Sequence, residues 1–344
     1  MVKTNKIPLI ITFFVALGHF KLNSQSASIS QYYANPLYLN PAFTGNIYYA
    51  RFCSNFRTQW PAGNHRIDSY LTSFDKNFYL YKFGLGGFIH HFSAGNNFFV
   101  YNSLNFSAAY SLNLTNKVNL RFGLQPNVSF FSTHFSELIF GDQLINTRST
   151  SIDPTINSLS ERKNHFSISS GLLLTEKKFW TGITCRNINR PNISFTSTIQ
   201  RLPVFISLHG GYRFIFPDKR GLVVKKENFI TISGNFRNQA SSKQLDLGSY
   251  IQYNALSFGL QYRGVPFEVF KGNNIINQDA IIGMVGIKLQ GWKVGYSFDY
   301  TISKLSGKYG NAHELSLQFE FGERIEKRKT FKKLPTMYMP YPKL

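Results

Sequence analysis

Between residues 47 and 321 the chain alternates apolar and polar side chains position by position, in one segment after another. Trp292–Tyr300 reads WKVGYSFDY: Trp292, Val294, Tyr296, Phe298 and Tyr300 share one face, and Lys293, Gly295, Ser297 and Asp299 share the other. Leu256–Arg263, Val100–Leu114 and Glu314–Phe321 repeat the pattern. Successive side chains of a β-strand point to opposite faces, so each segment has one oily and one wet face. No helical periodicity of useful length competes, and proline and glycine punctuate nearly every junction. About 14 candidate strands result, among them 256–264 and 279–289. Strands of that number and length need a fold that leaves no open edge.

Alternation alone fits two folds. A soluble sandwich pairs its oily faces inward, whereas a membrane barrel turns them to lipid around a polar lumen. Composition narrows the field. Aromatic residues make up 16% of the chain, which excludes disorder for most of its length. Mean hydropathy is −0.18, and after the N-terminus no run of about 18 apolar residues appears, so a polytopic helical membrane protein is excluded. Cys53 and Cys185 are too few for a disulfide scaffold or a four-thiolate zinc site, and two free thiols are expected. Tyrosine and phenylalanine gather at strand ends (Tyr48, Tyr49, Tyr79, Tyr81, Phe214, Phe216), as interfacial girdles require.

The links add direction. Met1–Lys6 is basic, Ile7–Leu17 is apolar, and small and polar residues follow at Ser24–Ser28, the order of a secretory signal peptide. With a mature start near Gln25 in the periplasm, alternate links must turn there. Those links are mostly short (Leu114–Lys117, Thr175–Lys178, Asn254–Ala255, Gln290–Gly291). The opposite set is mostly longer (Ser132–Lys163, Ile188–Pro203, Val265–Gln278, Ile302–Asn311). Phe216–Asn228 and Gln239–Ser242 break the pattern. Short periplasmic turns with long external loops are the outer-membrane arrangement. The expected architecture is an all-β, 14-stranded antiparallel transmembrane β-barrel in the outer membrane. It divides into a signal peptide (1–24), an N-terminal Asn-Pro segment (25–46), the barrel (47–321) and a basic periplasmic tail (322–344).

Gln31–Asn46 reads QYYANPLYLNPAFTGN, with Asn35-Pro36 and Asn40-Pro41 five residues apart. A stiff, extended segment is expected, either entering the lumen as a plug or capping the periplasmic mouth. It resembles the N-terminal signature of the PorP/SprF family of type IX secretion system membrane proteins, through Gln31, Asn35, Pro36, Asn40, Pro41, Ala42 and Gly45. The last hairpin, VGYSFDYTISKL (Val294–Leu305) then AHELSL (Ala312–Leu317), is similar to that family's, with Asp299, His313 and Glu314 on the pattern. Asn164–Ile183 also looks familial. The resemblance implies a barrel similar in fold to long-chain fatty-acid transporters. It further implies a role in secretion or surface retention of a large adhesin that carries a C-terminal secretion domain, in gliding bacteria. It implies periplasmic, peptidoglycan-linked secretion components as further partners.

Chemistry is sparse. No HExxH, GxSxG or Walker-type motif occurs, so no catalytic residue, metal or cofactor is assigned. Gly84-Leu85-Gly86-Gly87 lies inside an alternating strand and opens no helix. His90 and His91 are adjacent and face opposite sides. The polar faces carry Arg51, Arg57, Arg121, Arg213, Arg263 and Lys293 with Asp299, Glu314 and Glu320, expected to compensate one another within a narrow, filled lumen. The net charge of +21 raises nucleic acid as a partner, but export and interleaved polar-aromatic strands argue against it. The charge instead gathers in the inferred periplasmic links (Lys117, Lys177, Lys178, Lys219, Arg220, Lys225, Lys226) and in Gly322–Leu344, a basic rim suited to an anionic periplasmic partner. The tail ends in LPTMYMPYPKL, and Met337, Tyr338, Met339 and Tyr341 are its candidate anchors. Two functions stand side by side: a non-catalytic secretion and anchoring barrel, and a transporter or porin for a small apolar solute.

Overall fold

The computed structural model describes residues 29–61, 65–134, 161–195, 198–217, 227–270, 275–289, 291–303 and 310–322. The signal-peptide stretch, most of Ser132–Lys163 and the tail anchors Met337, Tyr338, Met339 and Tyr341 lie outside them. Fourteen strands follow in order: β1 Ala50–Gln59, β2 Ile67–Phe78, β3 Phe83–Ala94, β4 Phe99–Asn113, β5 Asn119–Thr133, β6 Arg162–Thr175 and β7 Phe179–Arg186. The second half comprises β8 Phe205–Pro217, β9 Glu227–Gln239, β10 Ser242–Tyr253, β11 Leu256–Phe270, β12 Ile275–Leu289, β13 Trp292–Thr301 and β14 Ala312–Phe321. Each strand pairs antiparallel with its neighbours in sequence, and β1 pairs with β14 from Ala50↔Phe321 to Gln59↔Ala312, which closes the barrel. No edge remains to recruit another chain.

Side-chain exposure separates the sandwich from the membrane barrel. On β13 the oily face looks outward, with Trp292 45% and Tyr300 53% exposed, while Lys293 and Asp299 point inward at 3% and 2%. Phe106, Phe258, Leu260 and Leu315 are likewise exposed, and Ser107, Ser257, Gln261, Glu314 and Ser316 are buried. That inversion is stable only against lipid. Pro126 stands inside β5, where it has no N–H to donate; the pairing of β4 with β5 runs to Asn105↔Asn127, lapses, and resumes at Ala108↔Leu124.

Two expectations need correction. The link Val265–Gln278 is largely sheet: β11 continues to Phe270 and β12 starts at Ile275, with register shifts at Arg263/Gly264 and Val265/Val269. The bulged residues break the two-residue period while the ladder carries on, so alternation loses the strand before the hydrogen bonds do. The Asn-Pro segment, in turn, is compact. Pro36–Leu39 forms a short helix, α1, and Pro41–Phe43 a single 3₁₀ turn. Proline fixes φ near −65°, the value a first helical position needs, so each Asn-Pro opens a turn.

The hydrophobic core is this segment. From Ile29 to Ile47 every residue is buried except Tyr38, which is half-buried. Tyr32, Tyr33, Leu39, Ala42 and Phe43 cluster with Leu173, Trp180, Tyr250, Ile282 and Met284 on the inner wall. The chain then leaves at Tyr48 and Tyr49, both exposed, and turns into β1.

Candidate functional site

Among the described residues, charged, polar and aromatic groups converge in the lumen and the segment inside it. At its start, Glu314 accepts from the backbone N–H groups of Ser30 (2.7 Å) and Gln31 (3.0 Å). The Gln31 side chain donates to the Glu314 carbonyl (2.9 Å) and accepts from Ser316 Oγ (2.5 Å). Ser30 Oγ donates to Asp299 (2.6 Å) and accepts from Arg57 and Arg263, both at 2.7 Å. Arg57 pairs with Asp299 (2.9 Å) and Glu314 (3.4 Å), and Arg263 with Asp299 and Asp246, both at 3.0 Å. Arg237 completes the network on Asp246 at 2.5 Å. Buried carboxylates and guanidiniums survive here because they face one another.

Tyr32 and Tyr33 follow. The Tyr32 hydroxyl meets Ser233 Oγ at 2.9 Å, and the Tyr33 ring stands edge-on to Tyr250, centroids 5.0 Å apart. Burial pushes the Tyr32 phenol up to about 12 and holds the Tyr33 phenol well above its ordinary range, so both stay protonated at physiological pH. Asn35 is fully buried, with its amide 3.5 Å from Asn55 Oδ1. Asn40 does two jobs at once. Its Oδ1 accepts from Ala42 N–H (2.8 Å) and caps the 3₁₀ turn, while its Nδ2 donates to the carbonyls of Leu172 (3.0 Å) and Ile183 (3.2 Å) on β6 and β7.

The exit is fixed as firmly. Arg121 donates from Nε to the Ala42 carbonyl (2.9 Å) and from Nη2 to the Thr44 carbonyl. Arg186 donates to the Tyr38 carbonyl, and Thr184 Oγ1 to the Leu39 carbonyl at 3.0 Å. Gly45, at φ +66°, turns its N–H onto Asp75 Oδ2 (2.8 Å), and Arg51 grips the same carboxylate at both oxygens, Nε on Oδ1 at 2.9 Å and Nη2 on Oδ2 at 2.8 Å. Arg57 pairs with Glu314 and Arg51 with Asp75 six residues earlier on β1, so the segment runs along the barrel wall for about 20 Å between these two clamps. It begins deep in the lumen and ends at the rim where β1 starts.

The inner wall is shaped to receive it. A side chain at Gly123 would collide with the Pro41–Ala42 peptide, one at Gly171 with Asn40 Oδ1, and one at Gly84 with Thr44 and Gly45. Three strands thus lack a side chain where the segment lies against them, its backbone at Gly84 and Gly123 and the Asn40 and Pro41 side chains at Gly171.

Of the residues marked in the sequence, Gln31, Asn35, Pro36, Asn40, Pro41, Gly45, Asp299 and Glu314 all lie in this one lumenal assembly. His313 does not join them. It sits on the outer face of β14, hydrogen-bonded to the Tyr296 hydroxyl at 2.8 Å and beside the Phe298 ring. Its neighbour Glu314 points inward because side chains alternate. Sequence reading passed over Asp75, Asp246 and Ser30 as anchors and Gly84, Gly123 and Gly171 as spaces. The acids were findable: with only 17 Asp and Glu in the chain, one at an inward position of a barrel strand is a candidate clamp.

Residues 21–319 match the family model of the type IX secretion system membrane protein PorP/SprF. The chain belongs to the PorP/SprF family. Family and fold are those of a membrane secretion barrel, and the barrel resides in the outer membrane. No curated relative matches this PorP/SprF chain by sequence. Among solved structures it is similar to the toluene transporter TbuX of Ralstonia pickettii, at 12% identity and a TM-score of 0.49 over 84% of this chain and 94% of that one. It is also similar to the toluene transporter TodX of Pseudomonas putida, at 9% identity and a TM-score of 0.41 over 86% and 93%. At such identity the likeness is one of barrel architecture.

Proposed function

We propose that this PorP/SprF protein is a non-catalytic barrel that assists the secretion and surface anchoring of a large adhesin through the adhesin's C-terminal secretion domain. The supporting observation is the filled lumen. A segment clamped by Arg57, Asp299 and Glu314 at one end and by Arg51, Asp75 and Arg121 at the other suits a docking platform, which needs no open path. In this reading the rim where β1 begins faces the periplasm. There the basic periplasmic links and the tail, with Met337, Tyr338, Met339 and Tyr341 as anchors, meet peptidoglycan-linked components of the secretion machinery. The long links at the opposite rim meet the exported adhesin.

The alternative is a transporter for a small hydrophobic solute, and it requires the segment to move aside. Two measurements decide between them. The purified barrel in planar bilayers is expected to show no steady single-channel conductance, and an affinity-tagged copy is expected to co-purify with a large adhesin fragment. Stable open channels together with no adhesin recovery would favour the transporter.

A further inference from the structure

The lumen is not filled evenly. Between α1 and the inner faces of β3 to β9, at the half of the barrel away from the rim where β1 begins, lies a cavity of about 140 Å³. Its wall is aromatic. Tyr38 from α1 reaches it, Tyr101 and Phe131 sit 4.9 Å apart by ring centroid, and Phe131 stacks on His165 at 5.1 Å with a 16° interplanar angle. Arg186 closes one side, its guanidinium carbon 4.5 Å from the Tyr38 ring centroid and 4.7 Å from that of Phe205.

Three polar lining residues are left incomplete. Gln125 Oε1, His165 Nδ1 and Gln239 Oε1 have no hydrogen-bond partner among the described residues, although Gln125 is 4% exposed and His165 and Gln239 are 9% exposed. Buried polar atoms without partners are costly, and the two amide oxygens can only accept. The aromatic walls ask for a flat apolar body, the oxygens ask for a donor, and the Arg186 guanidinium repels a cation that such rings would otherwise attract. A space of about 140 Å³ has room for one aromatic ring.

We propose that this cavity is a binding site for a small uncharged phenol-type molecule, one aromatic ring carrying an O–H donor. The ring packs among Tyr38, Tyr101 and Phe131, and the single hydroxyl proton goes to one of the two acceptors on that wall, Gln125 Oε1 or His165 Nδ1, which lie four residues apart along the strand direction. The site stands on the cavity alone and is independent of the adhesin reading.

Calorimetric titration of the full-length, detergent-purified protein with phenol, toluene and benzyltrimethylammonium tests it. Phenol is expected to bind roughly tenfold or more tightly than toluene, the difference one well-placed hydrogen bond makes, and the cation not at all. Gln125→Leu and His165→Phe keep bulk and stacking while removing the acceptors. The variant at the acceptor the hydroxyl uses is expected to weaken phenol several-fold and leave toluene unchanged, in protein that retains its heat-modifiable mobility. Absence of phenol binding, equal affinity for phenol and toluene, binding of the cation, or phenol affinity unchanged in both variants would overturn the site. If one variant fails to fold, the preference of the unaltered protein for phenol over toluene carries the test.

Discussion

Single residues decide how the lumen is filled. At Gly171 an added methyl meets Asn40 Oδ1, an atom already committed to the Ala42 N–H, so neither partner can yield cheaply. Gly171→Ala is expected to destabilise the barrel by about 1–3 kcal/mol, the usual range for overpacking. Gly283→Ala is the matched control. Nothing lies within 4 Å of its added carbon, and its effect should stay within about 0.5 kcal/mol. The temperature at which each variant loses its heat-modifiable gel mobility measures both. Asp75 tests the other kind of contact. Asp75→Asn leaves Arg51 buried without its counter-charge and weakens the acceptor for Gly45 N–H, and the expected loss is about 3–5 kcal/mol. A midpoint shift no larger than that of Gly283→Ala would show that the exit clamp contributes little. The inward acids and arginines were legible from the alternation, since a charged residue between oily neighbours must face the lumen. The pairing Arg57–Asp299–Arg263–Asp246 was not, because its members come from β1, β13, β11 and β10 and meet only when the sheet closes.

At the scale of elements, strands were read more readily than the segment that plugs them. β13 and β14 begin and end where the two-residue period does, at Trp292–Thr301 and Ala312–Phe321. The far ends of β11 and β12 escaped because bulges keep the ladder while breaking the period. The Asn-Pro segment carries no period at all. Its two prolines do local work, holding α1 and the 3₁₀ turn in the shape that lets Asn40 reach both β6 and β7. Replacing Pro36 and Pro41 with glycine enlarges the freedom of the unbound segment without touching a strand. The double variant is expected to insert normally, to show intermittent conductance in planar bilayers as the segment leaves the lumen, and to retain less adhesin at the cell surface. Wild-type silence and wild-type retention together would reduce the prolines to bystanders.

For the whole molecule, closure by β1 and β14 places the barrel's first and last strand ends at one rim, through the Ala50↔Phe321 pair. If that rim faces the periplasm, a cysteine or protease tag inserted within Ser132–Lys163 should be reached from outside intact cells, whereas a tag after Leu344 should not. Labelling of the C-terminal tag in intact cells would invert the orientation. Deleting Lys332–Leu344 then probes the tail: the barrel should remain in the outer membrane while recovery of periplasmic partners and surface adhesin falls. Normal recovery of both would make the tail a solvated end.

The sequence by itself determined the strand count, the alternation that makes two unlike faces, and the membership in a secretion-barrel family, because period and motif are local and survive without coordinates. Alternation alone left open which face meets lipid; aromatic strand ends and the unequal links pointed to the barrel, and the folded sheet bears this out with Trp292 and Tyr300 outside and Lys293 and Asp299 inside. The fate of the Asn-Pro segment was a tertiary decision. Its shape follows from its prolines, but its place depends on glycines of β3, β5 and β6 and on carboxylates of β2, β13 and β14. Those residues lie up to 284 positions away in the chain. Contacts at that range leave no periodic trace, since each depends on the register of strands that pair only once the barrel has closed.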